Sequence, residues 1–261
     1  MLAAQRTAKQ LTILAVFLII VGGISFTSYR IVSPPQPTPT PPPEAGLEPV
    51  KVLSTRVFSV RDNDYDFMAL VKNPNQTHGS REVDYVLNFI GPDGEVVKSI
   101  PGKFYILPGQ TRYVIESPLV IDKPFVTHEF KITDVVWNKL NILASAEIDL
   151  VVLNADYSEV NSGGLFSRVE GVSTNNSDFD LSDAEIVIVV LNSVGEPIAV
   201  NKTSISTFLS RTNRSFEVRW PSPFIGNFNR LDVGIYTNVF ENTNFLRRVG
   251  GQERFQEFNG E

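Results

Sequence analysis

The 261-residue chain contains no cysteine. That excludes disulfide frameworks, thiolate zinc sites, iron–sulfur clusters, cysteine nucleophiles and a lipid anchor on an N-terminal cysteine. Histidine is scarce, at two residues, His78 and His128, which read as loop positions. A zinc site without cysteine needs both, plus a carboxylate such as Glu129, and their spacing matches no metal motif. The sequence has no Gly-x-Ser-x-Gly elbow, no HExxH helix and no phosphate-cradling loop. It therefore offers no catalytic or cofactor-binding residue, calls for no cofactor, and is read as non-enzymatic. Lysine and arginine form no dense patch in a chain of net charge −6, so a nucleic-acid partner is not expected.

One long apolar run is present, from Leu11 to Tyr29, LTILAVFLIIVGGISFTSY. About 19 residues at about 1.5 Å rise span close to 30 Å, the hydrocarbon thickness of a bilayer. Arg6 and Lys9 precede the run and no acidic residue does, which keeps residues 1–10 cytoplasmic and places the rest of the chain outside. Arg30 opposes that bias weakly. The expectation is a single-pass transmembrane helix over 11–30, in contact with the lipid bilayer from Leu11 to Tyr29. A cleaved signal peptide with its core between Leu11 and Val21 is the competing reading. Apolar character continuing through Ile24 and Phe26 favours a retained anchor, and both readings put the bulk outside. Residues 31–49 follow as a Pro-rich linker, with Pro34, Pro35, Pro37, Pro39, Pro41, Pro42 and Pro43. Such a segment prefers extended polyproline II and reaches on the order of 45 Å. Readers of PxxP motifs act in the cytosol, so a spacer is favoured over a ligand.

From Val50 the pattern changes to short alternating runs broken by turn residues, the signature of an all-β sandwich. Strands are expected at 50–60, 66–73, 82–90, 95–100, 111–116 and 129–136. Turns fall at Asn73-Pro74-Asn75, at Gly91-Pro92-Asp93-Gly94, and at Leu107-Pro108-Gly109-Gln110 as a type II turn. The order repeats at an offset of about 100 residues. KVLSTRVFSV from Lys51 matches VVLNADYSEV from Val151, and the Asn73 turn matches Asn175-Asn176-Ser177. Val83 to Ile90 matches Ala184 to Leu191, and Asp93 to Val97 matches Val194 to Ile198. The strands ending at Ser117 and Trp137 match those ending at Trp220 and Phe240. Several matches in register mean a duplication. Two tandem immunoglobulin-like β-sandwich domains are expected, at 50–140 and 146–241, followed by a polar, flexible tail at 242–261.

The succession of turn glycine, apolar strand, short strand and Pro-Gly-Gln turn resembles the FxLYD-type modules of prokaryotic envelope proteins. The signature strand of that family falls on Ile188-Val189-Val190-Leu191-Asn192-Ser193-Val194-Gly195. In the first copy it falls on Leu87-Asn88-Phe89-Ile90-Gly91-Pro92-Asp93-Gly94. The apolar pattern and the final glycine are kept, while the Tyr-Asp pair is replaced. The resemblance implies a small immunoglobulin-like sandwich with a surface location, and it supplies no catalytic residue.

The run Ile186 to Leu191 is apolar on both faces, whereas an antiparallel sandwich normally wets one. Either a neighbour covers its outer face, the first module or a partner, or a central strand has an unusual sequence. Asp62, Asp64 and Asp66 alternate like a calcium loop, but Phe67 and Asn73 stand where an EF-hand needs Gly and Glu. These three are the calcium candidates, with Asp178, Asp180 and Asp183 as a second acidic loop. Asn75, Asn175, Asn201 and Asn213 begin Asn-x-Ser/Thr triplets. Phe104, Tyr105, Trp137 and Trp220 are candidate aromatic anchors, and Phe245, Leu246, Phe255 and Phe258 a candidate docking segment in the tail. The function expected is that of a membrane-anchored extracytoplasmic interaction or scaffolding protein of the cell envelope, with an unidentified protein partner. The alternative is an accessory subunit of an envelope secretion or pilus-type assembly.

Overall fold

The computed structural model describes residues 46–249. The expected anchor from Leu11 to Tyr29, the Pro-rich segment up to residue 45 and residues 250–261 lie outside them. Among the described residues no helix is long and apolar enough to cross a membrane.

Among the described residues twelve strands carry the fold. The first six are β1 (Lys51–Arg61), β2 (Asp64–Lys72), β3 (His78–Ile90), β4 (Val96–Ile106), β5 (Thr111–Val120) and β6 (Thr127–Lys139). The second six are β7 (Leu150–Ser162), β8 (Leu165–Asn175), β9 (Leu181–Leu191), β10 (Pro197–Phe208), β11 (Thr212–Trp220) and β12 (Arg230–Tyr236). They form four three-stranded antiparallel sheets, β1-β2-β5, β4-β3-β6, β11-β8-β7 and β10-β9-β12. The second pair of sheets thus repeats the first. All six strands expected in the first half are present, most of them longer than their alternation alone marks. β4 runs on through Pro101, which a strand at a sheet edge tolerates because one side of its backbone needs no donor.

The duplication holds at the level of single residues. Lys51 lies opposite Lys72, and Val151 opposite Thr174. The ladder slips between Val52 and Ser54 in the first copy and between Val152 and Asn154 in the second, so Leu53 and Leu153 are equivalent bulges. One further turn is shared. Gly94 and Gly195 both sit at positive φ and close back on Gly91 and Asn192. The 107–110 turn has Gly109 at φ 67° with the Gln110 N–H donating to the Leu107 carbonyl at 3.2 Å, as a type II turn requires.

Asn73 and Asn175 fix the same corner in each copy. Both are fully buried. The Asn73 amide donates to the carbonyls of His78 and Leu107, at 2.8 and 3.0 Å, and its oxygen accepts from the Asn75 N–H. Asn175 does the same with Phe179, Phe208 and Ser177. One side chain therefore replaces three missing backbone partners where two strands diverge.

Each pair of sheets encloses a core. Phe67, Leu87, Phe89 and Ile106 are fully buried in the first, and Ile186, Ile188, Phe208 and Phe245 in the second. A third apolar cluster lies between the modules. It joins Phe58, Met68 and Ile115, from the outer face of the β1-β2-β5 sheet, to Val187, Val189, Leu191 and Val200 of the β10-β9-β12 sheet. The described residues from Leu47 onward accordingly belong to one compact unit built as a four-layer stack. The two inner sheets are covered on both faces. The outer sheets present polar faces, with Glu82, Asp84 and Lys103 at one end of the stack and Arg168, Glu170, Glu217 and Arg219 at the other. This explains the doubly apolar β9: the first module covers Val187 and Val189.

The connector between modules holds one short helix, α1 (Ile142–Ser145), capped by the Asn141 side chain. The second module is closed by a 3-10 turn (Val239–Glu241) and the helix α2 (Thr243–Val249). The expectation of a flexible tail from residue 242 does not hold for α2. Phe245 is fully buried and meets Phe179 edge-on at 5.4 Å, so an apolar side chain outweighs the polar average of its neighbours.

Candidate functional site

The residues singled out as metal candidates are not brought together. Asp62 occupies a turn position at φ 45°. Asp64 faces Arg61 at 3.9 Å, and Asp66 is buried, which raises its pKa. Asp178 pairs with Arg211 at 2.6 Å, and that contact holds its pKa down. Asp180 accepts from the Ser210 N–H, and Asp183 from the Ser182 hydroxyl. Among the described residues no three His, Asp or Glu side chains form a group able to hold a metal ion. The histidines lie in strands rather than loops. They stand at opposite ends of the β3–β6 ladder, His78 opposite Lys139 and His128 opposite Phe89. His78 Nδ1 lies 3.0 Å from the Thr77 hydroxyl and His128 Nε2 3.0 Å from that of Thr55.

The aromatic candidates serve packing. Phe104 and Trp220 are buried in the two cores, with the Trp220 indole donating to the Val200 carbonyl, and Trp137 packs against the first core. Asn175 has its amide buried and fully engaged, so it offers no glycosylation acceptor in the folded protein.

The fourth aromatic candidate, Tyr105, belongs to a polar cluster that no sequence pattern marks. Arg112 of β5 is only 3% exposed and bridges the modules. It donates to Glu185 of β9 at 2.8 Å and to the Tyr105 carbonyl at 2.9 Å. Its guanidinium lies between the rings of Tyr105 and Tyr236, 4.2 and 4.6 Å from their centroids. Lys202 of β10 reaches back to the Ile115 carbonyl at 2.8 Å and stands 3.5 Å from Glu185. Tyr113 donates to Asp232 at 2.7 Å, and its N–H donates to the Tyr236 hydroxyl. Tyr236 lies across Gly234, where a Cβ would run into the tyrosine hydroxyl and the ring carbons beside it. Desolvation, ahead of the Asp232 contact, raises the Tyr113 pKa.

A cleft of about 180 Å³ opens beside this cluster. Lys103, Arg112 and Lys202 line it together with Glu116, Asp183 and Glu185, three basic and three acidic side chains. Tyr85 closes one side through a hydrogen bond to Glu116. The cluster ties β5 of the first module to β9, β10 and β12 of the second.

A second feature is open to partners. Between β7 and β12, the first and last strands of the second module, runs a groove of about 620 Å³. Leu150 to Ala155 line one wall as a continuous strand edge, and Leu231, Val233 and Ile235 line the other. Among the described residues no charged side chain lines it. β7 and β12 are each hydrogen-bonded on one side only among the described residues, to β8 and β9. The groove thus combines apolar walls with unpaired backbone, the two requirements for accepting an added strand.

No family model and no curated protein matches the chain. Among solved structures, a crystal structure of red sea bream transglutaminase is similar over 72% of this chain and 29% of its own, at 11% identity and a TM-score of 0.23. This chain therefore spans less than a third of that structure's length, and the likeness carries no argument about fold or activity.

Proposed function

We propose that this protein is a membrane-anchored, extracytoplasmic interaction or scaffolding protein of the cell envelope, non-enzymatic, presenting two immunoglobulin-like sandwiches of the FxLYD type as one rigid body. The observation that carries this reading is a groove that, among the described residues, has no lining charge and two unpaired strand edges, on a unit whose modules share an apolar cluster. Strand addition at such an edge draws affinity from main-chain hydrogen bonds and specificity from apolar pockets. The apolar run from Leu11 to Tyr29 and the prolines behind it supply anchor and spacer in this reading. The test is cross-linking of intact cells, with capture of the tagged full chain and of its Leu153→Asp variant. A partner recovered with the parent chain and lost with the variant supports the reading; equal recovery with both removes the groove from it.

The same groove favours a second reading, an accessory subunit of a secretion or pilus-type assembly, because a gap between first and last strands is a geometry through which subunits exchange strands. Replacing residues 11–30 by an unrelated anchor separates the two. A display module tolerates the exchange, and an assembly subunit loses its complex.

A further inference from the structure

β1 and β7 hold the same place in their modules. Each is the first strand, lies at a sheet edge and is paired on one side only among the described residues. Each carries the equivalent bulge, and each bulge presents a leucine to solvent, Leu53 at 50% and Leu153 at 58% exposure. Their charges are opposite. β1 carries Lys51, Arg56 and Arg61 and no acid, with Lys51 paired to Glu48 and Arg61 to Asp64, whereas β7 carries Asp156 and Glu159 and no base. The duplication places Arg56 and Asp156 at equivalent positions, and neither forms an ion pair among the described residues.

An edge strand is normally guarded by charge, which repels a second copy only when both edges carry the same sign. Here the two free edges attract. We infer that β1 of one copy docks edge-to-edge on β7 of a second copy, joining two three-stranded sheets across the molecules. Charge complementarity selects this pairing over β1 with β1 or β7 with β7, both of which set like charges opposite each other. The contact uses different surfaces on the two partners, so a copy that accepts at β7 still offers its own β1, and association propagates. The bulges at Leu53 and Leu153 break the ladder and keep the single contact short. If the chain is membrane-anchored, as proposed above, confinement to one surface raises its effective concentration.

The absence of cysteine makes the test clean. Ser54→Cys and Asn154→Cys each introduce the only thiol, at exposed positions beside the bulges. Full-length chains are reconstituted in vesicles and treated with a short bismaleimide. The expected result is a dimer from the mixture of the two variants at least fivefold over either alone, and a ladder of oligomers from the double variant. Adding Arg56→Glu to the Ser54→Cys chain, or Asp156→Arg to the Asn154→Cys chain, abolishes the product. Mixing both charge-reversed chains restores it. Unchanged melting temperatures show that the variants are folded. Equal cross-linking by a single variant alone, or none in the mixture, overturns the inference. A chain that fails here yet recovers a partner in cells loses only this inference and leaves the proposed function standing.

Discussion

Because one apolar cluster joins the modules, a cavity made in the seam should weaken both halves. Ile115→Ala removes a side chain that is 2% exposed and belongs to the first module by sequence. Isoleucine-to-alanine changes in cores cost about 2–5 kcal/mol, and about 3 kcal/mol is a fair expectation where Phe58, Met68 and the β9 valines cannot collapse far. With a urea m-value of roughly 3 kcal/mol/M for a unit of this size, the midpoint falls by about 1 M. The two tryptophans supply the assay, since Trp137 lies in β6 and Trp220 in β11, one in each module. Trp137→Phe leaves an indole that reports the second module, and Trp220→Phe one that reports the first. In the parent background the two transitions should coincide, and Ile115→Ala should shift both equally with no change in slope. A shift confined to the Trp137 reporter, or two separate transitions in the parent, would refute the reasoning that the stack unfolds as one body.

Asn73→Ala and Asn175→Ala should each cost about 2–4 kcal/mol, because each strands two carbonyls and one N–H in a buried corner; denaturation midpoints check this, and similar losses are expected. Burial lowers the His128 pKa, so the folded state binds its proton less readily than the unfolded chain. The stability tied to that group is complete above the ordinary histidine pKa of 6.5 and declines as pH falls below it. His128→Gln, which can keep the contact to Thr55, should flatten the fall in melting temperature between about pH 7 and pH 5. Gly234→Ala should displace Tyr236 from Arg112 and lower the melting temperature by several degrees, with a smaller loss when combined with Tyr236→Phe.

The strands and the duplication were legible because alternation with period two and the turn residues are local properties. Their positions in β1 and β7 matched down to the bulge. What lay beyond local reading was the partner of each outer face. β9 betrayed itself by being apolar on both sides, and β2 carries the same signal in Phe67, Met68, Ala69 and Val71, which an alternating template hides. Arg112 was invisible for a different reason. A charged residue just after a type II turn reads as solvated, and only the tertiary approach of Glu185 and Tyr236 makes its burial tolerable. The docking of α2 turned on one residue, Phe245, in a polar stretch whose average pointed the other way. Asn73 and Asn175 were legible as turn formers, but not as the hubs of their corners.

The four-layer stack also sets a timetable for synthesis. The first module is complete once Lys139 has left the ribosome, but the sheet that covers Phe58, Met68 and Ile115 is not provided with β9 and β10 until Phe208. At about 5–20 residues per second those 69 further residues take roughly 3–14 s, since 208 − 139 = 69. Throughout that interval the strands of the first module are out while the apolar face of Phe58, Met68 and Ile115 stays uncovered, an opening for chaperones or for misassembly between neighbouring nascent chains.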